Sequence, residues 1–499
     1  MTAPTFDDSL VESLFPAPSF AAEFASPAAP VPKPYPGITP ESTVALRRLL
    51  IENHKRFHVY FDPAGRVYHN HLSHHLFAAY TFGAPPRILQ NVFDDHASYQ
   101  RPAYQSPETI THENWVRHLG NGDFYNAYMN FFAAEIKKHG VSATFEKFVF
   151  SHEANWGPGE PRMLDRFFGG LVHPMIHFGH AAEFGIDGMA VEGLAQTAVH
   201  GKSFENLFDA SFFAGSNTTS SYLSPSTLAV SPSDSSAKQP SKDRVHSFSI
   251  LARILADDRL KAGAVCNMEN ILRHREVQKN VGGILREYAS LWNVDDDDKD
   301  IQERVEELNW FVTLMFGIGG WKKDKPFTAN FLLAHYVTSN LFLSSILSLL
   351  KPKHQVDLMR SYFATSLVWF VAQGSPALDV KGFFRSVTVD PKPDPDPKLL
   401  DAKEAEGNPW HTILMHTVRH PDEHQVKSAR ALAHGAALYG ARPKGYFAHT
   451  ELKGAEEIDG TLFVRTGGLL MDALHWNYEV KERVGGVDQG NGWSRKGLE

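Results

Sequence analysis

The sequence predicts an all-α protein whose body is one large domain. Three observations carry this: apolar residues recur at helical spacing on both sides of every interruption in the chain, strand-like alternation is scarce, and 42% of the 499 residues are hydrophobic, enough for a large core. With 21% charged residues and a formal charge of -8, from 49 Lys+Arg against 57 Asp+Glu, the chain is neither a disordered segment, nor a coiled coil, nor a basic nucleic-acid binder. Its single cysteine, Cys266, excludes a disulfide framework and any thiolate-held zinc or iron–sulfur cluster. A metal here therefore needs nitrogen and oxygen donors.

Residues 1–39 carry repeated Pro and Ala and read as an extended arm, followed by a helical domain over 40–499. That domain opens at a Thr39 cap, with Pro40 and Glu41 in the first helical turn and Val44, Leu46, Leu49 and Leu50 as its apolar positions. Phe57–Tyr60 and Arg66–Tyr68, flanking Asp62-Pro63-Ala64-Gly65, predict a short hairpin, and a helix follows as far as about Gly83. The Ser/Pro-rich stretch 215–242 has too few apolar residues to order itself and is expected to be a mobile insertion. Arg273–Lys279 reads as a solvated charged face, and Asp295–Asp298 and Asp390–Lys398 as solvated loops. Helical spacing resumes in Phe311, Leu314, Met315 and Ile318, and in Leu332, Leu333, Val337, Leu341 and Leu343. Asn340–Leu350 is the most apolar stretch, but it falls well short of the roughly 20 residues that span a bilayer. It predicts a buried helix and no membrane partner. The acidic start MTAPTFDDSL lacks the basic and apolar regions of a secretory signal, which points to a cytoplasmic protein.

The chemistry-bearing signal is histidine. There are 26, and seven pairs lie three or four residues apart (54/58, 71/74, 71/75, 173/177, 177/180, 416/420 and 420/424), against about 2 to 3 expected of random placement at the spacing that shares a helix face. Four segments stand out. In Tyr68–Leu76, His71 shares a helix face with His74 and His75; in Gly170–Phe184, His173, His177 and His180 stack along one side; His335 stands alone among apolar neighbours; and in His420–Lys427, Pro421 starts a helix that sets His424 and Lys427 on one face. Each segment taken alone reads equally as core histidines, or as ordinary helix-end electrostatics in the last case. Taken together they suit a metal: a buried Lys427 that loses its charge can react with carbon dioxide to give a carbamate, and four imidazoles with one anionic oxygen fit Fe(II), Mn(II) or Zn(II).

Four pieces in series resemble the questin oxidase-like proteins, fungal tailoring enzymes that open the ring of anthraquinones and related aromatic polyketides. They are Asn70-His71 with LFAAYTFG ending at Gly83, the run GGLVHPMIHFGHAAEFG, His335 with Val337-Thr338, and Asp422-Glu423-His424-x-x-Lys427 followed by Ala429-Arg430-Ala431-Leu432. The resemblance implies a mostly helical body and a mononuclear non-haem Fe(II) held by four His and a carboxylated Lys. Carried over by position, these are His71, His173, His335, His424 and Lys427. Spacing alone leaves His74 and His75 as alternates to His71, and His177 and His180 as alternates to His173. The implied reactants are an aromatic polyketide and O2. A second chemistry in the same family is Baeyer–Villiger oxygen insertion that consumes NADPH, with a separate reductase as partner.

A hydrolase using zinc to activate water is the alternative from another class, because carbamylated Lys with His also suits hydrolytic sites. The closest approach to a dinucleotide-binding glycine motif is Gly317-Ile318-Gly319-Gly320, which is not one, and no serine-nucleophile elbow occurs. His274/Glu276 and His420/Asp422 have the spacing of a two-His-one-carboxylate half-site, with Asp422 better read as a helix cap. Tyr68, Tyr80, Trp321 and Tyr336 are neighbours of the implied ligands along the chain.

Overall fold

The computed structural model describes residues 2–19, 30–61, 68–208, 244–261, 263–270, 272–393, 407–476 and 492–498. The expected insertion at 215–242, the hairpin turn at 62–65 and part of the loop at 390–398 lie outside these residues. The body is mostly helical, and among the described residues the only sheet is a parallel pairing of two dipeptides, β1 (Ala329–Asn330) and β2 (Trp493–Ser494). Among the same residues no helix is long and apolar enough to cross a membrane.

Ten helices frame the site. They are α1 (Pro40–Arg56), α2 (Leu72–Thr81), α3 (Gly169–Phe184), α4 (Asp187–Val199), α5 (Arg273–Ser290), α6 (Asp298–Gly317), α7 (Phe331–Asn340), α8 (Pro352–Ala372), α9 (Glu423–Tyr439) and α10 (Leu462–Leu474). The start of α1 follows local chemistry: Thr39 and Ser42 form a reciprocal capping box, and Pro40 takes a position whose missing N–H costs nothing. Helix α7 lies at the centre, packed against α3, α6 and α9, while α9 also meets α2 and α10. Its residues Leu332–Asn340 are all buried, so it is enclosed on every side and carries its polar residues, His335, Thr338, Ser339 and Asn340, into the core. A buried ion pair between Arg430 and Glu183 ties α9 to α3.

Several elements differ from expectation for local reasons. The arm is not extended throughout, because Asp7 caps a short helix, Asp8–Leu14, that buries Val11 and Leu14. The hairpin reduces to one antiparallel bridge between Tyr60 and His69, flanked by Phe61 N–H to Tyr68 O at 3.0 Å and Asn70 N–H to Val59 O at 2.7 Å. The apolar stretch 340–350 is not one helix, since α7 ends at Asn340 and a separate short helix runs over Leu343–Leu347. The Arg273–Lys279 stretch is solvated only in part: Arg275 and Lys279 are exposed, but Arg273 is 1% exposed and His274 7%, with the His274 ring stacked 4.5 Å from Trp369. Asp297 caps α6, so the acidic run serves a helix N-terminus as well as solvent. Helix α9 begins at Glu423 instead of Pro421, with Asp422 accepting from the N–H groups of His424 and Gln425.

Helices α3 and α4 approach closely where Gly193 faces Phe178, and a Cβ at residue 193 would lie 2.9 Å from the Phe178 backbone. Backbone cannot yield as a side-chain tip can. Gly193→Ala is therefore expected to destabilise the fold by roughly 1–3 kcal/mol despite the better helix propensity of alanine, seen as a lowered thermal midpoint. An unchanged or raised midpoint would contradict this packing.

Candidate metal centre and substrate cavity

Four imidazoles from four different segments meet between α2, α3, α7 and α9. Ring centroids form a closed circuit, with His71–His424 at 4.6 Å, His424–His335 at 5.1 Å, His335–His173 at 4.9 Å and His173–His71 at 4.9 Å. Lys427 follows His424 by three residues on α9 and is 4% exposed. His71, His335 and His424 each offer a nitrogen within 4.8 Å of the others, and His71 Nε2 lies 2.7 Å from His173 Nε2.

All four rings are turned the same way. Each Nδ1 is held from outside: that of His335 by Phe331 O at 2.7 Å, that of His173 by Gly170 O, and those of His71 and His424 by Glu423 Oε1 at 3.0 and 3.3 Å. A carbonyl or carboxylate partner requires the proton on Nδ1, which leaves the Nε2 lone pair facing the centre. The Nε2 atoms of His335 and His424 and the Nζ of Lys427 are buried there without a hydrogen-bond partner. Nitrogens of His71, His335 and His424 gathered within 4.8 Å, those of His335 and His424 unpartnered, form a donor set that a shared cation would satisfy. The residues present thus fit a cation held by imidazole nitrogens.

Protonation agrees. Burial pushes His71, His173 and His335 well below the usual imidazole range and lowers His424, so all four are neutral near pH 7. Burial alone would raise the Glu423 carboxyl, but His424 and His71 outweigh it and hold the group well below its ordinary value. Burial pulls Lys427 down from 10.5 to about 8, against opposing pulls from Glu423 and Asp422. An amine so displaced is neutral often enough to act as a nucleophile near neutrality.

Local backbone explains how the rings arrive. His71 is the residue before α2 and not part of its helical face, so its side chain departs from the direction of His74 and His75. Gly170, Leu171 and Val172 all adopt left-handed dihedrals, with φ of 53°, 59° and 57°, and the regular turns of α3 follow them. The bend points His173 into the centre while His177 and His180 remain on the helix. Gly170 is required twice over, by its φ and because a Cβ there would lie 2.4 Å from His200 Nε2.

The four alternates are engaged elsewhere. His74 Nε2 meets His177 Nδ1 at 3.0 Å; His177 Nε2 and His54 Nδ1 both bind the Glu192 carboxylate, at 2.7 and 2.6 Å. His75 bonds His96, which in turn bonds Tyr99. His180 donates its Nδ1–H to Ile176 O at 2.9 Å and packs between Phe77 and Phe342. His420 Nδ1 accepts from Asp422 N–H, and Glu276 accepts from Asn267 and Asn270, so neither half-site spacing produces a ligand pair. Tyr80 bonds Thr43, Tyr336 packs on Tyr362 and Trp321 on Phe383; of the four chain neighbours, only Tyr68 reaches the cavity.

That cavity has a volume of about 770 Å³ and is floored by His71, His173 and His424. His335 and Lys427 lie behind this floor. Tyr60, Phe61, Tyr68, Phe168, Phe331, Trp369 and Trp493 supply aromatic wall, at a size suited to a drug-sized flat molecule. Sequence reasoning missed the polar wall, in which His69 stacks 3.7 Å from His173 and its Nε2 meets His200 Nε2 at 2.7 Å, while His200 Nδ1 meets Tyr60 O–H at 3.1 Å. His200 has no histidine at helical spacing, so the pattern that exposed the other clusters was blind to it. Glu423 was legible only as an acid in a first helical turn.

The profile of the questin oxidase-like family matches residues 68–432, a span holding His71, His173, His335, His424 and Lys427. The chain belongs to the questin oxidase-like family. Its relatives include a Baeyer-Villiger oxidase of Pestalotiopsis fici, 24% identical over 79% of this chain and 81% of that one, and a Baeyer-Villiger monooxygenase of a Cryptosporiopsis species, 25% identical over 80% and 82%. A questin oxidase of Aspergillus terreus is 25% identical over 80% of this chain and 82% of its own length. This family member is accordingly an oxidoreductase, which sets the hydrolase alternative aside.

The Lys427 environment yields a prediction of unusual sign. With its folded value near 8 and its unfolded value at 10.5, the buried cation costs stability in full below pH 8, and that cost is relieved as pH rises from 8 to 10.5. In chelator-treated, carbon-dioxide-free buffer, Lys427→Met is expected to be more stable than wild type at about pH 7, by up to about 3 kcal/mol. It should also lack the alkaline rise. Denaturant titration across that range checks both, and a variant less stable than wild type with the same pH profile would refute the account.

Proposed function

We propose that this chain is a mononuclear non-haem iron oxygenase that uses O2 to cleave the quinone ring of an anthraquinone-type polyketide in fungal secondary metabolism. The observation that carries the reading is the convergence of unpartnered imidazole nitrogens and the Lys427 amine beneath a flat, aromatic-walled cavity. His71, His173, His335 and His424 are the ligands in this reading, and a carboxylated Lys427 supplies an anionic oxygen. Bound by these residues, Fe(II) would supply the redox chemistry that O2 activation requires. The names of the relatives support oxidation of a ring ketone or quinone, as does a cavity suited to planar substrates.

The chain's own residues divide the remaining work. Phe331, Trp369 and Trp493 line the cavity with aromatic surface against which the substrate rings pack, and they exclude water there. Glu423 fixes the Nδ1 tautomers of His71 and His424 and places a negative charge just outside the centre. Tyr60 O–H, bonded to His200, offers a polar edge for a substrate oxygen at the wall.

A second reading is Baeyer–Villiger insertion with NADPH and a separate reductase, favoured by the names of the Pestalotiopsis and Cryptosporiopsis relatives. Turnover of a chemically reduced substrate with O2 and no NADPH decides against it.

Elemental analysis of protein purified without a metal-affinity column is expected to find near-stoichiometric iron. His335→Ala, which opens no path to the cavity surface, should lose that iron together with turnover. Glu423→Gln should keep the fold but weaken iron binding by roughly 10–100-fold, as loss of a partner that orients metal-binding imidazoles does elsewhere. Product formed under 18O2 should carry the label. Full iron retention in His335→Ala, or label drawn from water alone, overturns the proposal.

A further inference from the structure

The mouth of the cavity is built partly from outside the family-matched span. Residues 492–498 cross it as a strap that pairs with β1 through Ala329–Trp493 and Asn330–Ser494, accepts from Asn330 Nδ2 at Lys496 O, and bonds Leu498 N–H to Gln373 O at 2.8 Å. Trp493 donates its indole N–H to Asp422 Oδ2 at 2.9 Å, joining the strap to the cap of α9. Arg495 then projects over Phe331, its guanidinium 4.2 Å from the ring centroid, and Phe331 is in turn 4.6 Å from His424 and 4.7 Å from His335. One aromatic ring therefore separates the guanidinium from the imidazoles.

The charge at this mouth is one-sided. Arg495 and Arg275 line the cavity, and Arg273 lies behind the strap with neutral acceptors, namely Ala372 O, Gln373 Oε1 and Arg495 O. Among the described residues, no carboxylate forms an ion pair with any of the three. Both carboxylates that line the cavity are already engaged, Asp422 by the cap of α9 and the Trp493 indole and Glu423 by the imidazoles. A guanidinium fork resting on an aromatic face, with its edge free, is the arrangement that receives a carboxylate or phenolate.

We propose that Arg495 binds an ionised carboxylate or phenolate on the rim-facing edge of the aromatic substrate, so that the strap selects acidic over neutral members of that class. This rests on the aromatic-substrate reading above and adds the charge that reading leaves open. Phe331 holds the guanidinium in place, and the apolar walls accept the uncharged rings.

The test is equilibrium binding, followed by tryptophan fluorescence under anaerobic conditions with the full chain as purified. Two ligand pairs of matched size are used: an anthraquinone carboxylate with its carboxamide, and a hydroxyanthraquinone, above its phenol's own pKa, with its methyl ether. Wild type is expected to prefer at least one anion by about tenfold or more. Preference in one pair alone identifies which anion is read. Arg495→Met should erase the preference while leaving neutral-ligand affinity unchanged, and Arg495→Lys should restore part of it. Equal affinities within both pairs in wild type overturn the proposal and leave the aromatic cavity standing. A preference surviving in Arg495→Met overturns the assignment to Arg495, and binding of none of the four ligands overturns this proposal and the aromatic-substrate reading together.

Discussion

Four imidazoles held by Nδ1 with their Nε2 atoms crowded together, two of them unpartnered, constitute a costly arrangement. A buried polar atom left without a partner costs about 1–3 kcal/mol, and here His335, His424 and Lys427 contribute one such atom each at a single point. Such a cluster persists only if the surrounding helices fix the rings more strongly than the rings gain by turning away. That constraint explains the central position of α7, whose burial on every side leaves His335 no alternative rotamer toward solvent. It also explains the Arg430–Glu183 pair, which fixes α9 against α3 from within the core. The centre is preorganised at a cost to the fold, and a cation bound there would stabilise the helical body.

The first turn of α9 connects most of these requirements. Asp422 ends the preceding loop, caps the helix and accepts from Trp493; Glu423 bridges two imidazoles; His424 and Lys427 enter the centre. A shift of one residue in the start of this helix would rotate all four functions by about 100°. Asn330 plays the matching part for α7, capping it through Leu332 and Leu333 while holding the strap through Lys496 O. The imidazole circuit and the cavity mouth are thus set by the same two helix caps.

Much of this was legible in the residues. Helical spacing predicted the class, Thr39 the cap of α1, and crowding of histidine three of the four segments that meet, His335 standing alone. What periodicity missed were departures from regular structure. His71 precedes its helix, and Gly170–Val172 turn left-handed before α3, so the two rings that matter leave the faces shared by His74, His75, His177 and His180. Helical spacing finds residues that face alike; these two ligands reach the centre because they do not. The Arg273–Lys279 stretch misled for the opposite reason: a run of charge looks solvated, yet Arg273 is buried because backbone carbonyls receive it.

The separation of floor from mouth has a consequence for how such enzymes diverge. Every residue of the imidazole circuit, with Glu423 and Lys427, falls within 68–432, whereas Trp493 and Arg495 fall outside it. The floor is coupled, since His71 and His424 share Glu423 and the four rings pack on one another in a closed circuit, so that changing one member disturbs its neighbours. The strap is held mainly by backbone hydrogen bonds and one indole, which constrain its path but leave residue 495 free to vary. Substitution at that position alters what enters without altering the donor set below. A fold organised in this way can keep one oxidative chemistry while its substrate range moves.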